Sequence, residues 1–114
     1  MSKDPAFSCE GLRIDSSGRL YAKITNTMYK PIKVSGIACV PTGETPAQYN
    51  QINKDISSQQ NIREIWDVSS TVTCKDAKTR TPYSGTIYIQ YKEADAPTTV
   101  PNKIGEISFS TTVG

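Results

Sequence analysis

Gly85-Thr86-Ile87-Tyr88-Ile89-Gln90-Tyr91 decides the fold class of this chain. Ile87, Ile89 and Tyr91 share one parity, and Thr86, Tyr88 and Gln90 share the other. Period-two alternation of β-branched and aromatic residues marks a strand with one apolar face. Working outward, Lys103 to Val113 repeats the pattern, with Ile107, Phe109, Thr111 and Val113 inward and Glu106, Ser108, Ser110 and Thr112 outward. The proline-bearing loop Glu93 to Asn102 separates the two strands. On the other side, Lys75 to Thr81 is a polar loop closed by Pro82.

The N-terminal half obeys the same period. Gly11 to Asp15 reads as a short strand, Ser16-Ser17-Gly18 as a tight turn, and Arg19 to Thr27 as a strand with Leu20, Ala22 and Ile24 inward. In Ile32 to Val40 the apolar phase switches between Val34 and Ile37, with Gly36 between them. One extra residue resets the alternation, so a β-bulge at Gly36 is expected to bring Ile32, Val34, Ile37 and Cys39 to the core face. The stretch 41–60 is polar and poorly patterned, and Tyr49, Ile52 and Ile56 fit either an edge strand or a helical turn. Ile62, Ile65, Trp66 and Val68 restore apolar character and lead through Val72 to Cys74, with Trp66 expected in the core or at its rim. About seven strands, with turn signals every 8–12 residues, predict an all-β fold: a single antiparallel, Ig-like β-sandwich.

Composition agrees. Serine and threonine fill 25 of 114 positions, a bias that suits strands and loops better than helix interiors. The length fits one domain, read as residues 7–114 behind a leader-like or disordered stretch, 1–6. A net charge of +2, without a run of like charges, argues against nucleic acid as a partner. The sequence holds no histidine, which removes the commonest general base and metal ligand. Serine and cysteine nucleophiles therefore lack their usual partner, and no GxSxG or phosphate-cradling glycine pattern occurs. Neither catalytic residues, nor a metal site, nor a cofactor is expected. Glu64 and Asp67 read as solvated charges.

Cys9, Cys39 and Cys74 have no metal-like spacing. A bridge between Cys9 and Cys39, the leading pairing, would close about 30 residues and contribute roughly 3–4 kcal/mol. Cys39 with Cys74 is the alternative, and three free thiols stand as the cytosolic reading. Among the tyrosines, Tyr21, Tyr29, Tyr83 and Tyr88 are candidates for an exposed platform, and parity turns Tyr21 and Tyr88 outward as the contact surface.

Phe7-Ser8-Cys9, the strand–turn–strand that follows, Ile32-Lys33-Val34 leading to Cys39, and Pro82 to Tyr91 with its final alternating strand resemble the extracellular domains of archaeal type IV pilin-like proteins. The resemblance covers most of residues 7–114. It implies a β-sandwich at the cell surface that acts in filament structure or adhesion. It also implies a signal sequence and a hydrophobic N-terminal helix, both missing from this sequence, as the only link to a membrane. The partners it implies are neighbouring copies, other filament subunits, or surface polysaccharide or protein. A polysaccharide- or protein-binding module of a surface protein is the alternative. The loops 41–60 and 93–102 and the strand Ile107 to Val113 are the expected contact regions.

Overall fold

The computed structural model describes residues 7–26, 31–56, 65–97, 99 and 101–114, excluding the side chains of 65–67 and 69–71. Seven strands follow in order: β1 (Phe7–Ile14), β2 (Arg19–Asn26), β3 (Ile32–Pro41), β4 (Asn50–Ile56), β5 (Ile65–Thr73), β6 (Pro82–Glu93) and β7 (Lys103–Thr112). They form two antiparallel sheets, β1-β2-β5 and β4-β3-β6-β7. In an Ig constant-type sandwich the fourth strand pairs with the fifth; here it joins the edge of β3 instead. The leader reading of 1–6, along with Tyr29, Ile62 and Glu64, lies outside the described residues, as do the side chains of Trp66 and Asp67.

Alternation builds the core. Leu20, Ala22 and Ile24 of β2, Ile87, Ile89 and Tyr91 of β6, and Ile107 and Phe109 of β7 are all buried between the sheets. Each large aliphatic side chain so buried contributes about 1.5–3 kcal/mol to folding. At one end of the sandwich Phe7 meets Tyr91 edge-on, with ring centroids 5.2 Å apart. At the other, Tyr83 stacks on Phe109 at 5.9 Å.

The expected phase change occurs at Gly36. The register of β3 shifts between Val34 and Gly36 against both neighbours, and Ile32, Val34, Ile37 and Cys39 all reach the core. The stretch that resisted assignment contains β4, an edge strand whose Ile56 is buried and whose Ile52 packs against the core. The first strand is longer than expected, starting at Phe7, because Gly11 is not its beginning. At φ +63° Gly11 sits in a bulge between Glu10 and Arg13, a conformation that glycine adopts without steric cost.

The disulfide joins Cys39 to Cys74 and corrects the leading expectation of Cys9 with Cys39. The reason is the arrangement of strands. Cys9 pairs in register with Ile24, toward the end of the sandwich where Phe7 meets Tyr91. Cys39 lies toward the opposite end, beside the chain leaving β5, where Lys75 N–H donates to Cys39 O at 3.0 Å. The bridge therefore ties the two sheets together across 35 residues of sequence. Cys9 is a free, half-buried thiol, and burial pushes its pKa up to about 11.

Candidate contact surfaces

Tyr21 and Tyr88, the two tyrosines turned outward by parity, do not share a surface. Tyr21 belongs to the three-stranded sheet and Tyr88 to the four-stranded one. Both are only half buried, while their chain neighbours Leu20, Ala22, Ile87 and Ile89 fill the core. The two rings thus occupy opposite outer faces of the sandwich. A sequence gives the parity of a strand but not which sheet it joins.

Tyr21 is held by its own sheet. The Arg13 guanidinium lies 3.9 Å from its ring centroid, and its hydroxyl donates to Asp15 Oδ2 at 3.2 Å. Asp15 caps the β1–β2 turn by accepting the N–H groups of Ser17 (2.9 Å) and Arg19 (3.0 Å) through Oδ1. The Arg19 amide foremost holds this carboxyl below the usual carboxylate range; desolvation opposes it, and the Ser17 amide and the Tyr21 hydroxyl add to the lowering. A cation–π contact and a hydrogen bond explain the position of Tyr21 without a ligand.

Tyr83 leaves the proposed platform altogether. It is buried, and its hydroxyl donates to Lys75 O at 2.8 Å. A tyrosine at the start of the sixth strand, bonded back to the preceding corner, is the tyrosine corner of Ig-like sandwiches. It lies beside the disulfide, since Lys75 follows Cys74 directly. Its parity with Ile87 and Ile89 was the signal that places it inward.

The outer face of the four-stranded sheet is different. Ala38 and Val40 point away from the core by parity, yet both are buried. The segment 42–49 returns beside them and, with the chain leaving β5, encloses a cleft of about 270 Å³. Tyr88 donates its hydroxyl to Glu44 O at 3.1 Å, and Lys75 Nζ meets Glu44 Oε1 at 2.7 Å. Tyr49, at the end of the same segment, approaches the backbone of Gly36, where a Cβ would stand 3.0 Å from Tyr49 Cβ and 2.6 Å from Gln90 Oε1. Gly36 thus serves the bulge and makes room for two side chains on the outer face.

Glu106 lies directly opposite Tyr88 in the β6–β7 register. Burial, reinforced by the Glu106 charge, raises the pKa of both Tyr49 and Tyr88, and a hydrogen bond with Glu106 adds to the shift at Tyr88. Tyr49, Tyr88, Gln90 and Glu106 therefore form one patch of ring faces, hydroxyls, an amide and a carboxylate. Such a set can stack on a ring and exchange hydrogen bonds with a polar ligand. Sequence parity found Tyr88; Tyr49, read with Ile52 and Ile56 as edge strand or helical turn, precedes β4, so the alternation of that strand assigns it no face.

A second cleft, of about 380 Å³, lies under the β6–β7 loop. Lys33 and Lys92 face each other across β3 and β6 on its floor, with Glu93, Ala94 and Asn102 at its wall. Compared with protein-family models, curated proteins and solved structures, the chain matches none. Its class therefore rests on its own architecture: an Ig-like, disulfide-tied antiparallel β-sandwich.

Proposed function

We propose that this chain acts by contact outside the cytoplasm, as the solvent-facing structural or adhesive domain of an archaeal pilin-like filament subunit or filament-associated protein. The observation that carries the placement is the Cys39–Cys74 bridge, because structural disulfides persist in oxidising compartments. The absence of histidine from the sequence supports a non-catalytic role. The segment 42–49, bound to Tyr88 and Lys75, gives the sandwich a fixed irregular surface of the kind that recognition uses. The test is gold-labelled antibody against the domain on intact cells of the native source, read by electron microscopy. Label along filaments or the cell envelope supports the proposal. Label that appears only after lysis, with three free thiols in the native protein, refutes it.

A second reading, a polysaccharide- or protein-binding module, is favoured by the Tyr49–Tyr88–Glu106 patch. Stacking of a sugar on tyrosine is sensitive to loss of the ring. A glycan-array signal that falls in Tyr49→Ala and Tyr88→Ala, with unchanged folding, would favour it over a purely structural subunit. An array without any signal removes the polysaccharide version.

A further inference from the structure

The outer face of the four-stranded sheet is ordered along β6. Tyr88, Gln90 and Lys92 take successive outward positions on that strand. At about 3.3 Å per residue, Tyr88 and Lys92 stand about 13 Å apart along it. A cross-strand row runs through each of them. Tyr88 lies between Ala38 and Glu106, Gln90 lies between Gly36 and Ile104, and Lys92 lies beside Lys33. Tyr49 comes in over the middle row, where the missing side chain of Gly36 admits both its Cβ and the Gln90 amide. The tyrosine patch and the cleft of about 380 Å³ are therefore two ends of one strip.

The two ends differ in charge. At one, the exposed Glu106 stands opposite Tyr88. At the other, Lys33 and Lys92 are directly opposite each other, an arrangement of like charges that destabilises a strand pair. The nearby acids lie to the sides of this pair. Asp55 of β4 is on the far flank of Lys33, and Glu93 is at the cleft wall, in register with the core residue Ile32. Ser35 and Asn102 line the same cleft. An oxyanion between the two ammonium groups would replace their repulsion with two charge-assisted hydrogen bonds. It would sit on the side the lysines share, away from Asp55.

We infer that this strip binds an acidic polysaccharide along β6, with a neutral sugar ring on Tyr49 and Tyr88 and an oxyanion further along the chain between Lys33 and Lys92. The inference rests on the ligand-binding reading of the tyrosine patch and names the chemical class of its ligand. The charge layout selects that class. Glu106 repels an oxyanion at the tyrosine end and accepts hydrogen bonds from the hydroxyls of an uncharged sugar. The lysines favour a carboxylate or sulfate at the other end. The fitting chain therefore alternates neutral and charged sugars. A purely acidic peptide would use the lysines alone and leave both rings and Gln90 without a role.

The test is isothermal titration calorimetry with two acidic oligosaccharides and their uncharged forms. Hyaluronan oligosaccharide alternates a carboxylate-bearing sugar with a neutral one, and its methyl ester removes the charge. κ-Carrageenan oligosaccharide alternates a sulfated sugar with a neutral one, and desulfation removes the charge. At least one acidic form should bind with a Kd about five- to tenfold below that of its uncharged form, and which one does separates carboxylate from sulfate. Raising the salt concentration should shrink the difference. Lys33→Gln/Lys92→Gln should erase the preference, and Tyr88→Ala should weaken the acidic and uncharged forms alike. Thermal unfolding checks that each variant folds. Uncharged forms that bind as tightly as the acidic ones overturn this inference and leave the ligand-binding reading standing, and so does a preference that survives the loss of both lysines. Polyglutamate that binds as tightly as the acidic glycans, with no effect of Tyr88→Ala, overturns it in favour of an acidic protein partner. No binding to any of the four glycans overturns the inference together with the polysaccharide reading.

Discussion

Reducing the Cys39–Cys74 bridge removes one cross-link and leaves every other atom in place. The bridge spans 35 residues of sequence. On the chain-entropy relation, closing a loop of that length removes about 13 cal/mol/K from the unfolded ensemble, or about 4 kcal/mol at 25 °C. A domain of this size has an unfolding entropy of about 0.24 kcal/mol/K near 60 °C, so the loss should lower Tm by about 15 °C. Stabilities of native domains lie at about 5–15 kcal/mol, so the reduced protein should stay folded at room temperature but close to its limit. The assay is thermal unfolding of oxidised and reduced protein, with thiols counted after alkylation of a sample at each state. Cys9→Ser should leave the difference unchanged, because Cys9 takes no part in the bridge. The Cys39→Ala/Cys74→Ala double variant should fall slightly below the reduced protein, since both sulfurs are buried in the core. A drop of less than about 4 °C in fully reduced protein would refute the reasoning. It would mean that the contacts between the two sheets already restrict the unfolded chain as the bridge does.

Tyr83→Phe deletes the hydroxyl that donates to Lys75 O and should cost about 1–2 kcal/mol, read as a lower urea midpoint with unchanged m. Burial first, then the charges of Asp76 and Glu44, push the Tyr83 pKa up to about 12 from an ordinary value of 10. The unfolded chain then loses this proton earlier than the folded one. Stability should fall between pH 10 and about 12, and the Tyr83→Phe variant should lack that share of the decline. The Cys9 thiol, raised to about 11, should react with a thiolate-selective reagent at pH 8 about a hundredfold more slowly than an exposed cysteine, and unfolding should abolish the difference. Gly85→Ala would bring a Cβ to 2.5 Å from the Tyr83 ring and 2.9 Å from Val40 O, and should cost about 1–3 kcal/mol by denaturant unfolding. Gly36→Ala should cost less, because the closest obstacle is the movable end of Gln90.

Much of this molecule was written in its sequence, and strand alternation is the reason. The side-chain period of two assigns Ile87, Ile89, Ile107 and Phe109 to one face regardless of what that face packs against, so the strands and most of the core followed directly. A glycine at a phase change marked the bulge at Gly36, because one extra residue is the cheapest way to restore the alternation. What the period cannot carry is the partner of each strand. Sheet membership decided that Cys39 meets Cys74 and not Cys9, that Tyr21 and Tyr88 lie on opposite faces, and that Tyr49 joins Tyr88 and Glu106. Local chemistry sets the face a residue occupies; only closure of the two sheets, through contacts far apart in sequence, sets what it meets there.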